Sequence, residues 1–170
     1  MNDTIRQDKI TMHDILKKLN EQSSSLYRFV LLYNDFINKP KDYGTGELIN
    51  MVEVHILTAI EENPGITPTH LARMWNRTKG AISQTISKLE KKGYITKEKK
   101  QGNAKTILLF PTEKGIELSK AHKLYDTIDI TRTFEYLIQE CTISEIDSFY
   151  KVIGLFINLL DDSAQNNLKK

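Results

Sequence analysis

The chain has few of the residues and segments that mark several large classes of protein. It contains one cysteine, Cys141, in 170 residues, which excludes internal disulfides and indicates a reducing compartment. No stretch approaches the roughly 20 apolar residues that a membrane-spanning helix needs. The first residues, MNDTIRQDKITMHD, hold no apolar run of the kind found in signal peptides. We therefore expect a cytoplasmic protein with no membrane partner.

Sequence arrangements that indicate enzymes are also missing. The chain shows no glycine-rich phosphate loop, no paired-carboxylate motif and no nucleophile–base pair. We therefore expect neither catalysis nor a cofactor. A hydrophobic content of 39% and a charged content of 27% are ordinary for a folded globular protein and argue against disorder.

Positive charge is concentrated in one segment. The whole chain carries +2, yet residues 64–114 hold eleven basic and three acidic residues, a net charge of +8. The remainder, with thirteen basic and nineteen acidic residues, therefore carries −6. Such a division is typical of a protein that presents one surface to nucleic-acid phosphates.

Apolar residues at three- and four-residue steps predict helices on both sides of this segment. The first covers residues 14–38, and its polar run 20–25 indicates either a solvent-facing turn or a kink. The second covers residues 47–61, with Leu48 on its inner face. A long helix follows Thr112 and extends to Gln139, and Ser144 is predicted to cap the last helix.

Between these helices, the pattern predicts helix, turn, helix and hairpin. Thr67 and Thr78 are in N-cap positions, and Asn76 is a turn residue that tolerates the left-handed conformation. The second short helix has Ile82, Ile86 and Leu89 on its inner face. Two β-prone segments, 94–98 and 106–110, enclose a basic tip that contains the turn formers Gly102 and Asn103.

In a helix-turn-helix, the second helix enters the DNA major groove and its outward residues reach base edges. Gln84 can bind adenine in a bidentate manner, Gly80 allows close approach, and hairpin lysines can follow the backbone or enter the minor groove. The alternative is a merely solvated polar face. The predicted DNA-binding residues are Thr67, Thr69, Thr78, Lys79, Gly80, Ser83, Gln84, Ser87, Lys88, Lys97, Lys99, Lys100, Asn103 and Lys105.

The pattern IxPTHLAxxWNxTKGAISQTISKLEKKGYI, followed by a lysine-rich hairpin and PTEKG, resembles the MarR family of winged helix-turn-helix transcriptional regulators. Matching positions are Leu71-Ala72, Thr78-Lys79-Gly80, Ser83-Gln84 and the run 89–93. The sequence departs from the family at Asn76 and Arg77, where glycine and an aliphatic residue are usual. The Asp-x-Arg motif of the wing appears as Asn103-Ala104-Lys105, which lacks the acid of the usual salt bridge.

This resemblance implies a mainly α fold with a small β-hairpin wing, in which N- and C-terminal dimerisation helices flank a winged helix-turn-helix core. The implied domains are residues 1–46, 47–113 and 114–170. It also implies a homodimer that binds a pseudo-palindromic operator in double-stranded DNA, acts as a repressor and responds to a small-molecule effector. Alternatively, the two apolar helices pack on each other within one chain.

The four histidines and the single cysteine are candidate sensors. The resemblance extends to zinc-sensing branches of the family, so a metal-responsive regulator is one alternative, with His122 and Asp126 as candidate ligands. We nevertheless expect no metal site. Cys141 is expected to be structural, because thiol-sensing members of the family carry their cysteine in the first helix. A winged helix used for protein–protein contact without DNA is the other alternative.

Overall fold

The computed structural model describes residues 11–167, apart from the side chains of Ala104 and residues 162–167. The chain divides into two compact units, Met1–Ala121 and His122–Lys170. The described part forms six helices and four strands, namely α1 (Met12–Asn38), β1 (Lys41–Asp42), β2 (Leu48–Ile49), α2 (Met51–Glu62), α3 (Pro68–Met74), α4 (Lys79–Lys91), β3 (Ile95–Lys100), β4 (Asn103–Pro111), α5 (Glu113–Glu140) and α6 (Ile143–Asn167). This architecture confirms the predicted fold class, mainly helical with one β-hairpin wing.

Helix α1 is continuous through residues 20–25, all of which are exposed, as a solvent-facing turn of the helix would be. Three consecutive serines there donate side-chain hydrogen bonds to carbonyls one turn earlier, which keeps their polar groups within the helix. A capping box of Thr11 and Asp14 starts the helix. It ends at Asn38, two residues before Pro40, because proline cannot continue the backbone hydrogen bonding.

The predicted start of the second helix was wrong. Residues 47–50 do not form its first turn: Leu48 and Ile49 form strand β2, which pairs antiparallel with β1. Helix α2 begins only after Asn50, whose side chain caps it by accepting from the Glu53 amide at 2.8 Å. Leu48 is 63% exposed and does not face inward. A strong cap at Asn50 therefore overrides an apolar spacing that would allow an earlier start.

The core of the first unit lies between α2, α3, α4 and the hairpin of β3 and β4. Its fully buried side chains include Leu57 and Ile60 of α2, Leu71 of α3, Ile86 of α4 and Leu109 of β4. A backbone bridge joins Ile66, just before α3, to Leu109. The hairpin is thereby hydrogen-bonded at its base to the segment that leads into α3.

Helix α5 starts against the beginning of the hairpin. The Thr112 hydroxyl donates to the Gly93 carbonyl at 2.7 Å, and the Thr112 amide donates to the Tyr94 carbonyl at 3.0 Å. A Cβ atom on Gly115 would lie 2.0 Å from the Tyr94 carbonyl oxygen. Only glycine therefore allows this close approach of the helix to the Tyr94 backbone.

The second unit contains the rest of α5 and helix α6. The cap of α6 is Thr142 and not the predicted Ser144: Thr142 and Glu145 exchange hydrogen bonds in a capping box, while Ser144 lies inside the helix. Phe149 and Ile157 of α6 remain about half exposed (51% and 53%). Across residues 11–167, no helix is long and apolar enough to cross a membrane.

Candidate nucleic-acid interface

The helix-turn-helix is fixed by two threonine caps and one left-handed residue. The Thr67 hydroxyl accepts from the His70 amide, and the Thr78 hydroxyl accepts from the Ala81 amide, both at 3.2 Å. Between the two helices, Asn76 has a φ of 44°, a conformation that asparagine adopts more readily than most residues. The sequence-based predictions for both caps and the turn are confirmed.

Helix α4 has one buried and one open face. Ile82, Ile86 and Leu89 are buried, which confirms the predicted inner face and orients the opposite face outward. All six α4 residues predicted to bind DNA are exposed, namely Lys79, Gly80, Ser83, Gln84, Ser87 and Lys88. The Ser87 hydroxyl donates to the Ser83 carbonyl at 2.9 Å. Within the described residues, the Gln84 amide has no hydrogen-bond partner, so both its donor and its acceptor face outward unoccupied.

A cleft of about 360 Å³ lies between the start of α3 and the second strand of the hairpin. Its lining residues are Thr67, Pro68, Thr69, Lys105, Thr106 and Ile107. The Ile66–Leu109 bridge holds its two sides together, with Leu109 donating to the Ile66 carbonyl at 3.0 Å and Gly65 donating to the Leu109 carbonyl at 2.7 Å. Three predicted DNA-binding residues, Thr67, Thr69 and Lys105, therefore line one cleft with a cation and hydroxyl groups.

The wing is the antiparallel hairpin of β3 and β4, whose register shifts between Lys99 and Lys100. At its tip, Gly102 has a φ of 79°, and the Asn103 side-chain oxygen accepts from the Lys105 amide at 3.1 Å. Asparagine thus ties the wing tip by a side-chain-to-backbone bond at the position where the family usually has aspartate. Lys99, Lys100 and Lys105 are exposed around this tip.

Several module lysines pair with carboxylates that the sequence did not identify as part of the site. Lys88 lies 3.0 Å from Glu53, Lys97 lies 2.6 Å from Glu90, and Lys114 lies 3.0 Å from Glu47. Only Glu90 was included in the +8 of residues 64–114. Glu47 and Glu53 lie outside that segment and each offset one of its positive charges, so residues 64–114 together with these two partners carry +6 instead of +8.

The Lys114–Glu47 pair stands beside the ring of Tyr94. The Lys114 ammonium also donates to the Lys92 carbonyl at 3.3 Å and lies 4.9 Å from the Tyr94 ring centroid. Its hydrogen bond to Glu47 raises the pKa of Lys114 above the ordinary value. Burial raises the pKa of Tyr94, and the charge of Glu47 adds to that effect while Lys114 opposes it. These contacts tie the end of α4 to the start of α5.

Two of the histidines and the single cysteine, the candidate sensor residues, each have side-chain neighbours in the structure. His122 Nε2 lies 3.3 Å from Asp126 Oδ2, one turn later on α5, and His122 is buried. The His55 ring lies 5.8 Å from the Trp75 ring. Cys141 is half-buried and lines an almost wholly apolar cavity of about 250 Å³ with five other residues of the second unit, namely Leu137, Glu145, Ile146, Phe149 and Tyr150.

Comparison with known proteins gives concordant matches. Residues 49–107 match the sequence model described as MarR family. The uncharacterized HTH-type transcriptional regulator YhjH of Bacillus subtilis is 29% identical over 84 residues, and YybA, described in the same words, is 32% identical over 104 residues. The matched region covers 49% and 61% of this chain, but only 48% and 63% of YhjH and YybA, respectively.

The fold has solved counterparts at lower sequence identity. FabT of Streptococcus pneumoniae, crystallised in complex with DNA, superposes with a TM-score of 0.62 over 86% of this chain and 98% of FabT. At 22% identity this likeness concerns the fold alone. The match to the family model contains the whole of α4 and its caps, and the structure has the winged helix-turn-helix that the motif predicts. Residues 49–107, which contain the helix-turn-helix and most of the wing, therefore carry the MarR family signature.

Proposed function

We propose that the chain is a transcriptional regulator that binds double-stranded DNA in a sequence-specific manner. One observation carries this proposal: the open face of α4 is formed by small and polar side chains, with the basic wing following it in the same unit. A helix with such a face can enter the major groove. Both curated relatives are described as HTH-type transcriptional regulators, which agrees with the expectation that the chain is not an enzyme.

The predicted contact residues then take different roles. Ser83 and Gln84 read bases, because their polar atoms face outward and glutamine matches the donor–acceptor pattern of adenine. Residues at the cleft, at the wing tip and elsewhere on α4 and its cap bind phosphates, which set position and affinity but not sequence. That second group comprises Thr67, Thr69, Thr78, Lys79, Ser87, Lys99, Lys100, Asn103 and Lys105.

The proposed active form is a homodimer, with residues 1–46 and 114–170 as dimerisation segments around the module 47–113. Apolar side chains are exposed along α1 and α6, among them Phe29 (50%), Tyr33 (50%), Phe149 (51%) and Phe156 (43%). Monomers seldom expose contiguous apolar stripes of this kind. Two copies would present two recognition helices to a pseudo-palindromic operator. Repression, effector control and a cytoplasmic location complete the proposal.

DNA binding is tested by measuring the affinity for a selected genomic operator and for a scrambled duplex at several salt concentrations. Affinity should fall steeply with salt, because each lysine–phosphate contact releases counterions. Gln84→Ala should lower the ratio of operator to scrambled affinity, whereas Lys99→Ala should weaken both duplexes alike. Absence of binding to either duplex would favour the alternative of a protein-interaction module.

Sedimentation of the full chain tests the dimer. We expect a species of twice the 19.6 kDa chain mass, and Phe149→Ser should shift it toward the monomer. Met74→Ser is the matched control, because Met74 is 49% exposed but lies on α3, outside α1 and α6. A monomeric wild-type chain, or equal effects of both substitutions, would contradict this part of the proposal.

A second candidate is a metal-responsive regulator of the same fold. It is favoured by the 3.3 Å approach of His122 Nε2 to Asp126 Oδ2, since imidazole and carboxylate are both zinc ligands. Calorimetric titration with zinc, on the wild-type chain and on His122→Gln, distinguishes the two candidates. Zinc binding that requires His122 and changes the DNA affinity would support it, and zinc-independent DNA binding would exclude it.

A further inference from the structure

An acidic residue occupies the inner side of α2, close to the recognition helix. Glu53 is 7% exposed and stands in the first turn of α2, where the helix dipole favours a negative charge. Its amide donates to the capping side chain of Asn50 at 2.8 Å, which fixes its position along the helix. The carboxylate is therefore rigidly held and largely shielded from water.

Two lysines of the recognition helix and its cap approach this carboxylate. Lys88 lies 3.0 Å from one oxygen of Glu53, and Lys92 lies 3.7 Å from the other. Lys92 also donates to the Leu48 carbonyl at 3.1 Å, so it has a second anchor. The Lys88 side chain is 63% exposed and, among the described residues, has no polar partner other than Glu53. Lys88 is therefore the lysine whose position depends on Glu53 alone.

Lys88 lies at the far end of the open face of α4, after Ser83, Gln84 and Ser87. A lysine ammonium released there would reach phosphates of any DNA sequence, because phosphate contacts carry no sequence information. Every such contact raises affinity for operator and random DNA together and thereby favours non-specific occupancy. A fixed carboxylate beside Lys88 prevents that contact without altering the residues that read bases.

We propose that Glu53 is a specificity-determining residue that holds Lys88 away from DNA phosphates and so limits non-specific binding. This inference rests on the proposed function. A purely structural role for Glu53 predicts the opposite change in binding to random DNA when Glu53 is replaced. Loss of a mere tie between α2 and α4 would weaken binding to all DNA, whereas release of Lys88 strengthens binding to random DNA.

The test is Glu53→Gln in the full chain, with a fluorescein-labelled scrambled duplex and an operator duplex selected by the wild-type chain. For each Lys88 that reaches a phosphate, the salt dependence of log affinity should steepen by about 0.9. When the salt is lowered from about 200 to about 50 mM, the ratio of variant to wild-type affinity for the scrambled duplex should therefore rise about 3- to 4-fold for each released Lys88. Its ratio of operator to scrambled affinity should fall.

Glu113→Gln is the matched control. It removes the same charge from an exposed residue at the start of α5 that has no ion pair among the described residues, so the salt dependence should stay near that of wild type. The double variant Glu53→Gln, Lys88→Gln should lose the gain on the scrambled duplex, because the released ammonium is then absent. If Glu113→Gln reproduces the effect, general charge is responsible and the inference fails.

Circular dichroism establishes that each variant is folded. If Glu53→Gln does not fold, Glu53→Asp replaces it: the shorter side chain keeps the charge but draws the carboxylate away from Lys88, so the same gain should appear in smaller size. Unchanged or weaker binding to scrambled DNA by the folded variant would overturn the inference. Failure of the wild-type chain to bind either duplex would instead overturn the proposed function.

Discussion

Replacement of Gly115 by alanine tests whether the start of α5 is fixed by contact with the Tyr94 backbone. The added Cβ atom would lie 2.0 Å from the Tyr94 carbonyl oxygen, 3.0 Å from its carbonyl carbon and 3.3 Å from a Leu57 methyl group. The carbonyl belongs to the backbone and cannot rotate away as a side chain would. Helix α5 must therefore shift away from Tyr94 by about an ångström to restore ordinary van der Waals contact.

Opposing contributions determine how far Gly115→Ala changes the free energy of unfolding. Alanine is favoured over glycine in a helix by about 1 kcal/mol, and by less in the first turn. Overpacking costs about 1–3 kcal/mol. The shift also strains the hydrogen bonds from Thr112 to Gly93 and Tyr94, each of which contributes about 1 kcal/mol. We expect a net loss of about 2 kcal/mol, which lowers the melting temperature by about 4–8 °C.

Thermal unfolding followed by circular dichroism, at one protein concentration for all variants, measures this loss. Gly80→Ala is the control, because a Cβ on Gly80 meets only the Thr78 hydroxyl, at 4.0 Å. It should leave the free energy of unfolding unchanged or raise it by up to about 1 kcal/mol. Equal stability of Gly115→Ala and Gly80→Ala would show that contact with the Tyr94 backbone does not fix the start of α5.

Two further predictions concern the recognition helix and the hairpin. Thr78→Ala should lower the free energy of unfolding by about 1 kcal/mol through loss of the cap, whereas Thr85→Ala, inside the same helix, should not; urea titration measures both, and equal losses would contradict the role of the cap. Raised pKa values of Tyr94 and Lys114 mean that both groups hold protons more tightly when folded. The stability that the two protonated groups contribute to the fold is thus fully present below their ordinary pKa values of 10.0 and 10.5. It is lost as pH rises through the higher pKa values of the folded state. Urea titrations at increasing alkaline pH measure the free energy of unfolding, and its decline with pH should be smaller for Tyr94→Phe than for wild type. Identical declines would contradict this prediction.

Local signals of the sequence were sufficient for the helix-turn-helix. Threonine caps, the asparagine turn and the apolar spacing of α4 each depend on interactions within a few residues, and each prediction was confirmed. The first turn of α2 and the cap of α6 were misassigned, because the true caps, Asn50 and Thr142, lie two to three residues from the predicted starts. In α2, the Asn50 cap and the pairing of Leu48 with Asp42 together determined the start of the helix, and periodicity carries no information about such pairing.

The electrostatic part of the candidate site could be predicted less completely. The basic segment was recognised from its net charge, but the partners of its lysines were not. Glu53 and Lys88 are separated by 35 positions, and a single acid on an apolar helix gives no sign of its partner. Only the packing of α2 against α4 brings these two charges together. Residue counts therefore overestimate the charge that the folded module presents.

The bridge between Ile66 and Leu109 has a consequence for where the folding unit ends. The family match stops at residue 107, whereas the bridge uses the backbone of Leu109 and the end of the hairpin is held through Thr112. A fragment cut to the boundaries of the family match would lose both attachments and expose the core beneath them. The recognisable signature is thus shorter than the hydrogen-bonded module that contains it, and a fragment for solution studies should continue to Ala121, the end of the first unit.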